Sequence, residues 1–313
     1  MSVICTSFPP IIRVGAHSLM KPMYSSYHKT LNHRWNSVIN TSQARSFVAL
    51  AASPRSSSYA TNGKSRSVYT NLRLKPQPAY PGHIPLTPFE NGVLAVGSAL
   101  MSLIDTRRAD MVAACGETTA GPTLVKLRDT MLESPEGRRI LKEMPRINSQ
   151  TLDWEKLRSL PENTFGRAYV RWLDACKVTP DSREPVHYID DPELAYVMQR
   201  YRETHDLYHA LFGLKVSALP ELALKAFEFT NLGFPMTALS LGASIRLKSP
   251  QRARLWGEFI PWAARCGSHA RCLLTVYWEE RWGQDLDEMK KEFGVWDPPA
   301  GITIPRPSRI DLP

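Results

Sequence analysis

Asp191-Pro192-Glu193-Leu194-Ala195-Tyr196-Val197-Met198-Gln199-Arg200-Tyr201-Arg202-Glu203-Thr204-His205-Asp206-Leu207-Tyr208-His209-Ala210-Leu211-Phe212-Gly213 is the stretch on which the fold turns. Asp191 followed by Pro192 reads as an N-cap with proline at the first helical position, and Gly213 reads as a helix stop. Between them Leu194, Val197, Met198 and Tyr201 recur at helical spacing, and the stripe continues through His205, Tyr208, His209 and Phe212. The pattern predicts one long helix with both histidines on its apolar face.

Imidazoles on an apolar face cost free energy unless they find partners, and a shared metal ion suits two histidines four residues apart. Asp206 lies near the same edge. A lone core histidine more often bonds a carbonyl, but His205, Asp206 and His209 converge within five residues. Downstream, Pro220-Glu221 opens another helix, and a short antiparallel turn after Gly213 returns Glu221 to the level of His209. His205, Asp206, His209 and Glu221 are therefore the expected metal ligands, and the catalytic residues if the ion is catalytic. This mixed nitrogen and oxygen set suits Zn²⁺ and is tolerated by Fe²⁺ or Mn²⁺. Glu228 lies seven residues beyond Glu221, about 10 Å along the helix axis. It reads as a partner behind the ligands. In HExxH zinc proteases the second position is a catalytic Glu; the shorter Asp206 reaches the metal instead of a neighbouring water, which argues against proteolysis.

Around this pair the text is helical as well, with apolar residues at helical spacing and Pro or Gly between the segments. Helices are expected near 88–104, 107–116, 123–134, 136–144, 153–160, 165–175, 220–232, 237–246, 249–260, 263–282 and 286–292. The expected architecture is all-α, a single multi-helix domain over 81–313 with the metal site between two adjacent antiparallel helices.

Residues 1–80 read differently. No Asp or Glu occurs before Glu90, while ten Lys and Arg residues do, and Ser-rich text surrounds Arg45 and Arg55. That is the composition of a disordered mitochondrial presequence with a linker, and Pro9 and Pro10 break the apolar run that a secretory signal would need. The net charge of +9 over 313 residues is thus concentrated at the front; the remainder holds 29 basic and 30 acidic residues. A near-neutral domain without a recognition motif excludes a general nucleic-acid binder. Among five cysteines there is no CxxC pair, which argues against structural disulfides and a cysteine zinc site.

The most apolar stretch, 92–104, is shorter than the roughly 20 residues of a spanning helix, and it reads as a buried helix. Contact with a lipid surface would leave the same pattern. Trp278 and Trp282 read as core. Arg246, Lys248, Arg252 and Arg254 beside Trp256 and Trp262 form a candidate membrane contact.

His205-Asp206-x-x-His209 followed by eleven residues and Glu221 resembles the motif of the ubiquinone (coenzyme Q) biosynthesis protein 4 homologue family. So do His83-Ile84-Pro85, Asp110-Met111-Val112-Ala113, Gly116-Glu117-Thr118-Thr119, Glu193-Leu194-Ala195-Tyr196-Val197, Arg200-Tyr201-Arg202-Glu203 and Gly233-Phe234-Pro235-Met236. The likeness runs from His83 to about Trp296. It implies a largely helical mitochondrial protein, peripheral to the matrix side of the inner membrane and in contact with its lipid surface. It implies zinc at His205, Asp206, His209 and Glu221, and partnership with other ubiquinone-biosynthesis enzymes in a multi-subunit complex. The implied reaction is oxidative decarboxylation at ring carbon C1 of a 4-hydroxy-3-methoxy-5-polyprenylbenzoate, a carboxy-lyase step. Zn²⁺ has no redox chemistry, so such a step needs dioxygen, another cofactor or a different metal. The alternatives are a non-catalytic scaffold that organises the complex, and a metal-dependent hydrolase suggested by the adjacent His205-Asp206 pair. The hydrolase reading lacks the further His-Asp ligands it requires.

Overall fold

The computed structural model describes residues 77–105 and 108–306. The expected presequence falls outside the described residues as far as residue 76, as does the end of the expected domain from 307. Among the described residues the architecture is all-helical, with two isolated bridges, Thr164 with Asp285 and Leu214 with Thr303, and no longer strand pairing.

The helices are α1 (Pro88–Ile104), α2 (Ala109–Thr119), α3 (Gly121–Glu133), α4 (Pro135–Glu143), α5 (Trp154–Ser159), α6 (Phe165–Cys176), α7 (Pro192–Phe212), α8 (Ala218–Leu232), α9 (Pro235–Ser240), α10 (Ser249–Arg254), α11 (Ile260–His269) and α12 (Leu286–Phe293). Side-chain oxygens cap several starts: Thr87 and Glu90 form a capping box on α1, and Ser134, Asp153, Thr164, Asp191 and Asp285 cap α4, α5, α6, α7 and α12. Gly213, Gly233 and Gly294 end α7, α8 and α12 in the left-handed conformation.

Helix α7 runs through the middle of the core. Eighteen of its 21 residues are buried, so the expectation of one apolar face is too narrow: the helix is enclosed around its circumference. Its polar residues therefore need protein partners in place of water. Arg200 pairs with Glu279 and donates to the Val276 carbonyl at 3.1 Å. Arg202 pairs with Glu117 of α2 at 2.6 Å and donates to the carbonyls of Ala113, Glu184 and Pro185. Glu203 accepts from Arg146 at 2.7 Å and from the Ile147 N–H at 2.8 Å.

Helix α8 packs antiparallel to α7, since His209 meets Glu221 while His205 and Tyr201, further back on α7, meet Glu228. On its other side α11 approaches closely at Gly267, where an added Cβ would lie 2.9 Å from the Phe227 carbonyl oxygen and still closer to Thr230 Oγ1. The Thr230 hydroxyl donates to the Ala263 carbonyl across this contact.

Three expectations are corrected. The apolar helix α1 is not buried: Phe89, Val93, Val96, Leu100 and Ile104 are all more than half exposed, and only Ser98 is buried. The helix expected over 263–282 ends at His269. The Asn231 side chain takes the Gly267, Ala270 and Arg271 carbonyls and accepts the Leu273 N–H, so the chain continues as two 3₁₀ turns, Leu273–Thr275 and Trp278–Glu280. The helix expected over 237–246 is α only to Ser240 and 3₁₀ from Leu241 to Arg246. Trp278 is fully buried and Trp282 partly so, stacked on Phe165 at 5.6 Å; Trp262 is core and Trp256 exposed. The four cysteines among the described residues are free thiols.

Removing one member of the enclosed Arg202–Glu117 pair should strand the other charge. Arg202→Met is expected to lower stability by about 3–5 kcal/mol in urea unfolding, and Arg202→Met with Glu117→Met by clearly less than the sum of the single losses. Additive losses would show that the two side chains do not depend on each other.

Candidate metal centre

The turn after α7 prepares the site. Gly213, at φ +67°, lets the chain reverse so that the Leu214 carbonyl returns over the last turn of the helix. His209 Nδ1 lies 3.2 Å from that oxygen, to which Trp172 Nε1 also donates at 2.6 Å. The Trp172 ring stacks on the imidazole at 5.2 Å between centroids. With its Nδ1 facing a carbonyl, which can only accept, His209 turns Nε2 toward Glu221, 3.0 Å from Oε2.

His205 is arranged in the same way through a carboxylate. Its Nδ1 lies 2.5 Å from Glu228 Oε1, and its Nε2 lies 3.3 Å from Glu221 Oε1. Glu228 is itself held by the Tyr201 hydroxyl at 2.9 Å and by Lys225 Nζ at 2.8 Å. Two imidazoles thus turn Nε2 toward one carboxylate while their Nδ1 atoms are occupied behind. The ligand atoms of His205, His209 and Glu221 lie within 4.8 Å of one another. The two histidines are buried, and the Glu221 side chain is 34% exposed, so the cluster opens toward solvent on the Glu221 side.

The charges reinforce the arrangement. Burial and Lys225 both oppose protonation of His205, yet Glu228 and Glu221 outweigh them and hold its pKa above the ordinary histidine value. Burial would raise the Glu221 carboxyl, but His205 and His209 keep it well below the usual range. Glu228, also resisted by burial, is brought down to about 2 by Lys225 and His205.

This donor set fits a divalent cation. Two neutral imidazoles and a carboxylate make the three-ligand pattern of catalytic zinc and of non-haem iron, each with positions left for substrate or water, and the partners behind the histidines are those that orient metal ligands. Asp206, the fourth expected ligand, stands apart from the group: its carboxylate is ion-paired with Arg183. Glu228 occupies the place behind His205 that its spacing suggested. Lys225 and Trp172 escaped the sequence reading. Lys225 stands four residues after Glu221 and three before Glu228, a spacing that places all three on one helical face. Trp172, on a separate helix, leaves no such trace.

The sequence model described as coenzyme Q (ubiquinone) biosynthesis protein Coq4 matches residues 80–299. The chain belongs to the Coq4 family. It is similar to the mitochondrial ubiquinone biosynthesis protein COQ4 of Laccaria bicolor, 66% identical over 227 residues that cover 72% of this chain and 76% of that one. It is also similar to COQ4 of Coprinopsis cinerea, 60% identical over 231 residues, covering 74% and 79% of the respective chains. A crystal structure from Nostoc punctiforme, described as a candidate ubiquinone biosynthesis protein, shares the fold with a TM-score of 0.53 at 21% identity and covers 65% of this chain and 98% of its own. The Coq4 family match spans every helix from α1 to α12, and all four expected ligand positions lie inside it.

If the cluster holds an ion, Glu221→Ala should reduce bound metal from about one equivalent to near zero by elemental analysis of the folded protein. Glu228→Gln should keep the metal but weaken it about 10–100-fold in chelator competition, through the His205 ring it orients. Equal affinity in the Glu228 variant would mean that the carboxylate serves packing alone.

Proposed function

We propose that this chain acts in ubiquinone biosynthesis as a metal-dependent decarboxylase, with His205, His209, Glu221 and Asp206 as ligands. Its substrate is 4-hydroxy-3-methoxy-5-polyprenylbenzoate, whose C1 carboxylate leaves as CO₂ and is replaced by hydroxyl, a two-electron oxidation for which dioxygen, or a further redox cofactor acting with water, would serve as co-reactant. The observation that carries the reading is the pair of imidazoles whose Nδ1 atoms are tied back by Leu214 and Glu228 while both Nε2 atoms converge on Glu221. Membership of the Coq4 family supports the ubiquinone-biosynthesis part of this reading.

A bound divalent ion, zinc in the first instance and iron or manganese as alternatives, would supply Lewis acidity toward a substrate oxygen. The protein residues do the rest. Glu228 and the Leu214 carbonyl keep each imidazole in the tautomer that exposes Nε2, and Trp172 holds the His209 ring in its plane. Lys225 neutralises Glu228, so that this buried carboxylate orients His205 without adding unbalanced charge. Asp206, which pairs with Arg183, would have to give up that partner to join the ligand set.

We place the chain in the mitochondrion, peripheral to the matrix side of the inner membrane, within a complex of quinone-synthesis enzymes. The mitochondrial names of its relatives support the compartment. Helix α1 supports the membrane contact. Its exposed positions Phe89, Gly92, Val93, Val96, Gly97, Leu100, Met101, Leu103 and Ile104 carry no polar side chain, and Arg246 donates to the Ile104 carbonyl at its end. Exposed Ile245, Lys248 and Arg252 stand close to Arg246 in sequence, a mixture of apolar and basic side chains that suits an anionic lipid surface. No helix among the described residues is long and apolar enough to cross a membrane.

In cells whose only copy carries Asp206→Asn, the carboxylated quinone precursor is expected to accumulate while protein level and co-purification of partner enzymes stay normal. Loss of the complex together with the product would instead mark the chain as a scaffold in which the metal clamps α7 to α8. For the membrane contact, Val96→Glu with Leu100→Glu should reduce co-sedimentation with anionic vesicles at least about tenfold without changing thermal stability. Unchanged sedimentation would assign the α1 face to something other than lipid.

A further inference from the structure

Two hydrogen-bond donors beside Asp206 have no assigned role in the site described so far. Arg183 lies between the short 3₁₀ turn Pro180–Ser182 and α7, and among the described residues its hydrogen-bonded partner is Asp206 alone, through Nη2. A guanidinium carries five N–H donors, so most of the fork remains free. Its side chain is 37% exposed while that of Asp206 is 4% exposed, which puts the cation on the solvent side of a buried acceptor.

The segment that carries Arg183 is pinned from several directions. Arg202 donates to the Glu184 and Pro185 carbonyls at 2.9 and 3.0 Å, and Gln199 accepts from the Val186 N–H at 3.2 Å. Glu117 accepts from the His187 and Tyr188 N–H groups at 2.7 and 2.6 Å. Upstream, Asp181 accepts from the Ser149 N–H at 2.8 Å. The guanidinium is thus mounted on a braced loop, as a recognition group should be.

The second donor is Tyr169 of α6. It is fully buried, and its hydroxyl has no hydrogen-bond partner among the described residues. Burial raises its pKa most, and the charges acting on it most strongly are those of Asp206 and then Arg183. Helix α6 packs against α7, the helix that carries Asp206, which places the unmet hydroxyl within range of both charges. Leaving such a group without an acceptor costs about 1–3 kcal/mol, so it marks where an acceptor oxygen is wanted.

We propose that Arg183 and Tyr169 form the subsite that receives the carboxylate of an aromatic acid substrate beside the His205, His209 and Glu221 cluster. The inference rests on the decarboxylation reading and deepens it. An anionic substrate entering past Glu221 and Asp206 meets like charge and needs a cation on its path. Lys225 is enclosed and committed to Glu228, whereas Arg183 is partly exposed with donors to spare. Its planar fork matches a carboxylate through two parallel N–H···O bonds, and a phenol O–H adds a third. A product that has lost the carboxylate loses all three contacts, so the same subsite discriminates substrate from product.

The test uses the full chain with its metal, and two probes: 4-hydroxy-3-methoxy-5-farnesylbenzoate and its primary amide, followed by intrinsic tryptophan fluorescence. Arg183→Gln should weaken the benzoate at least about tenfold and leave the amide within about twofold, with bound metal unchanged in the folded protein. Arg183→Lys should recover part of the loss, and Tyr169→Phe should weaken the benzoate severalfold. In turnover the Arg183→Gln loss should fall on KM more than on kcat. Equal losses for benzoate and amide, unchanged benzoate binding, or loss of metal from Arg183→Gln would overturn the subsite, the last by reducing the arginine to a support for Asp206. A wild-type chain that binds the benzoate in this pattern yet releases no CO₂ would overturn the decarboxylation reading and leave the carboxylate subsite standing. Normal KM in Arg183→Gln with intact CO₂ release would do the reverse.

Discussion

Enclosure of α7 on every side is the constraint from which the rest of the structure follows. A helix that meets water leaves its polar residues to solvent; one enclosed all round must find each of them a partner inside the protein. Arg200 ties α7 to the 3₁₀ segment around Glu279, Arg202 ties it to α2 and to the loop before the helix, and Glu203 ties it to the segment after α4. These pairs are poor sources of net stability, because desolvation consumes most of the Coulombic gain. Their value lies in exclusivity: any other packing of the same helices would bury a charge without its partner.

The same constraint produces the candidate site. His205 and His209 are two more polar residues on an enclosed helix, and α8 answers them with Glu221, Lys225 and Glu228 from one of its faces. The turn contributes as well, since the left-handed Gly213 allows the Leu214 carbonyl to reach back to His209. Structural pairing and site assembly are therefore one event, and the cluster is braced before any ligand arrives.

Much of this was legible in the sequence because it is local. The Asp191-Pro192 start, the Gly213 stop and the interval to Glu221 define two antiparallel helices and bring three ligand atoms together without reference to the remaining fold. What sequence patterning missed is set from a distance. Asp206 has the right spacing, but its partner Arg183 comes from a loop with no periodic signal. The helix expected over 263–282 has good helical text, yet Asn231 of α8 competes for its carbonyls, and an interhelical side chain leaves no mark on the segment it interrupts. Helix α1 misled for a third reason. An apolar run reports affinity for an apolar environment, and packing alone decides whether that environment is a protein interior; here it is not.

The charges around the cluster follow a consistent account. Asp206, Glu221 and Glu228 contribute three carboxylates, and Arg183 and Lys225 contribute two cations, which leaves one negative charge in excess when both histidines are neutral. That excess, concentrated where Glu221 and Glu228 flank His205, is what holds the imidazole pKa above its ordinary value. A divalent cation at the two Nε2 atoms and Glu221 would turn the excess into a single positive charge. A singly charged aromatic carboxylate would then bring the site to neutrality, and its loss as CO₂ would remove the attraction that held the substrate. Charge alone thus gives the order in which such a site would fill and empty: cation first, acid second, and the decarboxylated product the least retained.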